Sequence, residues 1–193
     1  MGYSQAQKAE SRRRVLENAS RQIRENGIDA LGVAECMHSA GLTHGAFYGH
    51  FTSRDALIVE ALEHAVSQSE KRIRSLANGA AKRGETPLQA IAEVFLSERH
   101  VKNPGNGCAL CALAGEARHA NPDVRARLTH YLRKLVSHIA QATAADNADA
   151  ALGIIATIVG AITLARAVDD EQLAKSLLAA SLALITTREG AGR

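Results

Sequence analysis

Apolar residues recur every three to four positions through most of this chain, which is the spacing that puts them on one face of an α-helix. Alanine and leucine are abundant, aromatic residues make up only 3% of the chain, and there is no tryptophan. This composition favours helices that pack closely through small side chains over a β-sheet. We therefore expect an all-α protein of about nine helices. The predicted helices cover residues 7–26, 33–40, 44–50, 54–77, 87–100, 108–119, 122–144, 148–168 and 169–187.

Residues with special backbone roles mark several of these helix ends. Gly27 and Gly41 follow the first and second helices, and glycine readily adopts the left-handed conformation that ends a helix. Ser53 precedes the fourth helix as an N-cap, and either Asp146 or Asn147 caps the eighth. The last two helices, 148–187, are apolar and carry small residues. They predict a pair that is buried against a second copy of the chain, with an ordinary monomer core as the alternative.

Length, charge and cysteine content exclude some classes of protein. The chain has 193 residues, 46% of them apolar, which is enough for one domain or for a small head on a larger body. Its net charge of +3 is too small to indicate nucleic-acid binding by itself. Three cysteines that cannot all pair, and the lack of a leader pattern, predict a cytoplasmic protein. The most apolar segment, 150–165, is short and polar for a membrane span, so we expect no membrane association.

A glycine-containing turn followed by a short helix is the most informative feature of the sequence. The segment reads Gly41-Leu42-Thr43-His44-Gly45-Ala46-Phe47-Tyr48-Gly49-His50-Phe51 and continues Thr52-Ser53-Arg54-Asp55-Ala56-Leu57. Phe47 and Phe51, four residues apart, are expected to face the core, and Thr43 is expected to cap the helix through its hydroxyl. The positions left exposed are His44, Ala46, Tyr48 and His50. A small, polar face opposite a packed aromatic face is typical of the reading helix of a helix-turn-helix.

A basic run, Arg12-Arg13-Arg14, lies upstream of this motif. Guanidinium groups there would reach DNA phosphates, but such a triplet is as often a solvated helix face, and both interpretations stay open. On the reading face, His44 is suited to donate to a base acceptor and Ala46 to contact a thymine methyl group.

The motif makes about the first 60 residues resemble the TetR family of bacterial transcriptional regulators. The family pattern is Gly-hydrophobic-Ser/Thr-x-Gly-x-hydrophobic-Tyr-x-His-Phe, followed by Ser-Lys-x-x-Leu, and the segment quoted above matches it in order. The resemblance implies a three-helix DNA-binding head, 1–57, and a helical body, 58–193, that binds a small-molecule effector and dimerises. It also implies that the homodimer binds a palindromic double-stranded DNA operator as a repressor, and that the effector releases it.

The resemblance assigns roles to single residues of the head. Three residues match positions that hold DNA phosphates: Thr43, Tyr48 and His50. Arg54 stands where the family has lysine, and arginine keeps the positive charge but carries it on a planar group. The positions that match base-facing residues are His44, Gly45 and Ala46. Gly32 replaces a family threonine that caps the second helix and touches the DNA backbone, so this position offers no side-chain oxygen.

The body offers a second set of candidate residues. Cys108 and Cys111 form a C-x-x-C pair at the start of a predicted helix, where the helix dipole lowers the pKa of a thiol. The pair either senses oxidants or electrophiles or packs as small apolar residues. Together with His100 and His119 it has the ligand types of a metal site but not the spacing, so we expect no metal and no cofactor. The residues predicted to line an effector pocket are Cys108, Cys111, Glu116, His119, His130 and Tyr131.

Three classes of function follow from these residues. The first is an effector-responsive transcriptional regulator that has no catalytic step and is not an enzyme, with an apolar effector favoured by the apolar body. The second is a helical cysteine-dependent enzyme, in which Cys108 or Cys111 pairs with His100 or His119. The third is a helical adaptor that dimerises and binds protein, and it leaves the segment 43–50 unexplained.

Overall fold

Nine α-helices and three short 3₁₀ helices make up the fold in the computed structural model, which describes residues 5–143 and 147–191. No β-strand occurs in those two ranges, so the prediction of an all-α protein is confirmed. The α-helices are α1 (Gln5–Asn26), α2 (Val33–Ser39), α3 (Arg54–Gly79), α4 (Pro87–Phe95), α5 (Glu98–Lys102), α6 (Ala109–Leu113), α7 (Pro122–Ala142), α8 (Ala148–Ala167) and α9 (Glu171–Ala191). The 3₁₀ helices are His44–Gly49, Ala81–Arg83 and Pro104–Asn106.

The head consists of α1, α2 and the 3₁₀ helix His44–Gly49 around a small apolar core. Ile23, Met37 and Phe47 are buried there, one from each element. Gly27 and Gly41 have left-handed backbones, with φ of 91° and 75°, and end α1 and α2 as predicted. The turn between α2 and the next helix is therefore built by a residue that tolerates this conformation without strain.

The 26-residue helix α3 connects the head to the body. Its N-cap is Ser53, which accepts a hydrogen bond from Ala56 N at 3.0 Å, as predicted. Along its length α3 packs first against α1 and further on against α4 and α7, with Leu57, Leu62 and Ile73 fully or almost fully buried. The predicted boundary after residue 57 thus falls inside one continuous helix, and head and body share α3.

Two predicted helices are shorter in the structure, and in each case residues close to the observed end account for it. The helix predicted over 87–100 is divided, because Ser97 accepts a hydrogen bond from His100 N and caps a new helix, α5. The helix predicted over 108–119 ends at Leu113, and turns follow it around Gly115, a poor helix former.

The predicted end of the seventh helix at residue 144 and the alternative cap Asp146 lie outside the described residues. Asn147 caps α8 by accepting from Asp149 N and Ala150 N.

The helix α8 is long and apolar enough to cross a membrane by length and composition alone. In this fold it packs against α6, α7 and α9, and Ile155 and Ile162 lie in the core of the body. Arg166 near its end points inward and donates to the carbonyls of His100 and Val101. These contacts show that one side of α8 packs in the core of the body, although only 33% of its most apolar stretch is buried.

Candidate nucleic-acid interface

The reading segment of the head is a single 3₁₀ helix held by two phenylalanines. Phe47 and Phe51 are 4% and 3% exposed, and their rings stack with centroids 5.7 Å apart, as the spacing predicts. Tyr48 points the other way and is 79% exposed, while its ring still meets Phe47 edge-on at 5.2 Å. An exposed aromatic residue with a hydroxyl at its tip is suited to contact a phosphate from a fixed position.

Thr43 occupies the N-cap position of this helix but does not cap it through its side chain. Its backbone is extended, with φ −76° and ψ 154°, and its hydroxyl makes no capping hydrogen bond. The predicted cap is therefore wrong, because the first turn is 3₁₀ and is closed by the backbone bond from Ala46 N to the carbonyl of Thr43. The Thr43 side chain is exposed instead, where its hydroxyl is free to donate a hydrogen bond to a DNA phosphate.

The residues predicted to face bases lie together at the start of the same helix. His44 and Gly45 are exposed and Ala46 is half-buried against the head core. A Cβ atom added at Gly45 would meet nothing within 4 Å, so the surface there is open to a partner. These three positions form the reading face, 44–46, that a major groove would receive.

His50 closes the exposed end of the helix. It is half-buried, and its Nδ1 is a buried atom without a hydrogen-bond partner in the described part of the chain. Burial, together with the positive charges of Lys8 and Arg12, lowers the pKa of His50 below its usual value. The imidazole is therefore neutral at physiological pH, and an approaching phosphate would favour its protonated form.

Arg54 is held inward by the head rather than left free for DNA. Its Nη2 donates to the carbonyls of Ile28 and Asp29 at 2.9 Å each, and its Nε donates to that of Leu31 at 3.3 Å. These carbonyls belong to the loop between α1 and α2, so the guanidinium ties that loop to the start of α3. The phosphate contact implied by the family lysine stays a prediction for Arg54, whose observed contacts are structural.

We expect Arg54→Gln to lower the free energy of unfolding by about 2 kcal/mol, because three loop carbonyls lose a charged donor. Urea unfolding followed by circular dichroism measures this. The matched control is Arg13→Gln, since the Arg13 side chain is exposed and its side-chain partners, Glu10 and Glu17, lie on its own helix. Equal stability of Arg54→Gln and the unsubstituted protein would contradict the structural role of these three hydrogen bonds.

The basic run at the start of α1 is largely neutralised within the chain. Arg13 and Arg14 pair with Glu10, and Arg12 pairs with Glu60 while its guanidinium lies over the Phe51 ring at 4.8 Å. Arg12 also donates to the carbonyl of His50. Of the two interpretations of this run, the contacts favour a structural role for Arg12 and a solvated helix face for the other two.

In the body, the structure brings three of the predicted effector residues together. Cys108 and Cys111 are buried at the start of α6, and the Tyr131 hydroxyl lies 3.3 Å from the Cys108 sulfur. A hydrogen bond from the Cys111 thiol lowers the pKa of Cys108 to about 6, and the same bond and burial raise the pKa of Cys111. By contrast, burial raises the pKa of Cys36 to about 11, which fits a packing role in the head.

The remaining predicted effector residues do not join this cluster. Glu116, His119 and His130 are exposed. Glu116 plays a different part, because its carboxylate accepts a hydrogen bond from Ile28 N at 2.9 Å and lies against Gly27. It connects the turns after α6 to the loop that ends α1, and so joins body to head.

The contacts of His100 argue against its role as the base of a cysteine-dependent enzyme. Its Nδ1 lies 2.7 Å from the carbonyl of Phe95, and its Nε2 accepts from Cys108 N at 3.1 Å. Burial lowers the pKa of His100 to about 4, so the ring is neutral, with Nδ1 as the donor. Both nitrogens are thus engaged by the backbone, and neither is placed to take a proton from a thiol.

Two cavities meet at the wall formed by Phe95 and Cys108. One, of about 20 Å³, is apolar and lies between the helices of the body next to Ile91 and Ile155. The other, of about 200 Å³, is polar and includes Arg24 from the head helix α1. The residues predicted to line a pocket did not include Arg24; its only signal is a position beside Ile23, at the edge of the apolar stripe of α1.

Comparison with known proteins agrees with this geometry. Residues 15–61 match the family model of bacterial regulatory proteins of the TetR family. YerO, an HTH-type transcriptional regulator of Bacillus subtilis, is 27% identical over 82 residues, which are 42% of this chain but only 28% of YerO. The HTH-type transcriptional repressor NemR of Escherichia coli is 21% identical over 133 residues, covering 69% of this chain and 67% of NemR.

Solved structures share the whole fold. The reduced form of E. coli NemR superposes with a TM-score of 0.74 at 20% identity, covering 92% of this chain and 96% of that one. A TetR transcriptional regulator from Chloroflexus aurantiacus gives a TM-score of 0.76 at 24% identity, covering 94% and 95%. The exposed reading helix on this fold defines a helix-turn-helix protein. Over its head, residues 15–61, the chain matches the TetR family of bacterial transcriptional regulators, and the relatives and solved structures named above are regulators of this kind.

Proposed function

We propose that this protein is a homodimeric transcriptional repressor that binds a palindromic DNA operator and is released by a small-molecule effector. The observation that carries the proposal is the reading face 44–46, which is open and is fixed from behind by Phe47 and Phe51. Thr43, Tyr48 and His50 surround it with groups that donate hydrogen bonds to phosphates. Phosphate contacts position the head, and the face then reads base edges in the major groove.

The proposed dimer forms through α8 and α9. Four large apolar side chains are exposed on these helices: Leu152, Leu164, Leu173 and Leu184. Small residues such as Ala156 and Gly160 lie on the same side of α8 as Leu152, which allows a facing helix to approach closely. An apolar surface of this kind is stabilised when a second copy covers it, and two heads then face two half-sites.

For an effector bound in the body to release DNA, the body must be connected to the head. Two hydrogen bonds make this connection. Glu116 binds Ile28 N, and Arg24 on α1 donates to the carbonyl of Gly107 at 3.1 Å. Both partners in the body flank α6, which also packs against α8. A ligand that shifts α6 would move the head through these contacts, and it would release DNA if it binds better in the shifted state.

The test is binding of the purified protein to labelled DNA from upstream of its own gene, at two salt concentrations and with unlabelled competitor. We expect specific binding at least about 1000-fold tighter than binding to random duplex, weakening steeply as salt rises because counterions are released from phosphates. Binding no tighter than to random duplex at either salt would contradict the proposal and favour the adaptor class.

A second candidate is control of the same regulator by thiol oxidation, favoured by the hydrogen bond between Cys108 and Cys111. A peroxide would take two electrons and two protons from the thiols, forming a disulfide and water. Both thiols are almost fully buried, which slows access. Repeating the DNA-binding assay after peroxide treatment, with Cys108→Ser alongside, separates this candidate from release by a bound ligand.

A further inference from the structure

The polar cavity between head and body is lined by two arginines. It has a volume of about 200 Å³ and lies between α1, α3 and the loop before α6. Arg24 of α1 and Arg72 of α3 both line it, together with Gln68, Ser69, Phe95 and Cys108. Two guanidinium groups from different helices thus line one partly open cavity.

All the hydrogen-bond acceptors that the described residues offer the Arg24 guanidinium are neutral groups. Arg24 is only 5% exposed, and it donates to the carbonyls of Ser20 and Gly107 and to the side-chain oxygen of Gln68. Among the described residues, no carboxylate oxygen lies within 4.0 Å of its nitrogens. Two negative groups act on it from further away: Cys108, whose lowered pKa makes it a thiolate at physiological pH, and the exposed Glu25.

The guanidinium of Arg72 also has a neutral hydrogen-bond partner, and no carboxylate of the described residues is in contact with it. Arg72 is half-buried, donates to the carbonyl of Asn106 at 3.2 Å, and lies 5.9 Å from the centre of the Phe95 ring. It too lacks a carboxylate within ion-pair distance in the described ranges, and Arg99 adds a further positive charge nearby. A single Cys108 thiolate does not balance two guanidinium groups, so the cavity keeps a net positive charge, and burial lowers the pKa of both arginines because it disfavours their charged forms. An anion in the cavity would relieve this cost.

We propose that the cavity binds a small organic anion whose carboxylate or phosphate group is held between Arg24 and Arg72. Planar guanidinium groups bind such oxygens in pairs, which favours an oxyanion over a halide. A dry cavity of about 150 Å³ is known to hold benzene, so the space here suits a ring-sized acid such as benzoate. The Phe95 ring at the wall offers that ring an apolar contact.

Such a ligand would act on the regulator through its position. It would join α1, the first helix of the head, to α3, next to the Gly107 carbonyl that Arg24 already binds. That this anion is the effector depends on the proposed function. Binding itself is a property of the cavity and can be measured without DNA.

The experiment is calorimetric titration of the full-length protein at constant ionic strength with sodium benzoate, inorganic phosphate and neutral benzamide. We expect benzoate to bind with a Kd below about 1 mM, and benzamide, which has the same shape without the charge, at least about tenfold more weakly. Phosphate binding in place of benzoate would keep the oxyanion site and assign it to phosphate-bearing ligands. Binding of neither anion at about 10 mM, or equal binding of benzoate and benzamide, would overturn the proposal.

Two variants locate the site. Arg72→Gln should weaken benzoate or phosphate at least about tenfold, while Arg74→Gln, an exposed arginine on the same helix, should leave it unchanged. Arg72 is preferred to Arg24 because it makes fewer contacts with the rest of the fold. Equal loss in both variants would overturn the assignment. A protein that binds the anion but no operator would contradict only the proposed function.

Discussion

Gly45→Glu is expected to weaken specific operator binding at least about 100-fold, because its side chain would project from the reading face into the major groove. There a carboxylate faces phosphates and mostly acceptor base edges. Each lost specific contact costs about 1–3 kcal/mol, and charge repulsion adds to it. Gel-shift or anisotropy titration against the operator measures the loss.

The fold should survive this change, because a Cβ at Gly45 meets nothing within 4 Å and its φ is not left-handed. Gly115→Glu is the matched control: Gly115 is also exposed and open, but lies in the turns after α6. It adds the same charge away from the reading face, so operator binding should persist. An equal loss in both variants would trace the effect to net charge and would argue against the reading face.

Leu164→Glu is expected to convert the proposed dimer to monomers and, as a consequence, to weaken operator binding. Leu164 is 53% exposed on α8, within the surface we assign to the dimer. The two unpaired carboxylates buried in the dimer together cost about 3 kcal/mol or more, which weakens dimerisation by at least roughly 100-fold. Sedimentation velocity over a range of concentrations measures the monomer fraction.

Ser137→Glu on α7 serves as the control for Leu164→Glu, because it adds the same charge at an exposed position outside the proposed dimer surface. It should remain dimeric, and both variants should unfold at similar urea concentrations. A Leu164→Glu protein that still sediments as a dimer would show that the copies meet through another surface. The four exposed leucines would then need a different partner.

The sequence alone was sufficient for several local features of this molecule, although the Thr43 cap and the ends of α4 and α6 were predicted wrongly. The i, i+4 spacing of Phe47 and Phe51 predicted which side of the reading helix is buried, and the structure agrees. Gly27 and Gly41 predicted two helix ends, and Ser53 predicted the start of α3. These succeed because helix periodicity, capping and left-handed turns depend on residues within a few positions of one another.

What only the tertiary structure decided depends on residues far apart in the chain. Arg54 matched a DNA-contacting position, yet it binds carbonyls 23 to 26 residues away. Glu116 was predicted to line a pocket, yet it binds Ile28 N, 88 residues away. The cavity of Arg24 and Arg72 exists only because α1 packs on α3. A long polar side chain can reach several partners, and the packing of the helices, which local patterns do not encode, determines which one it meets.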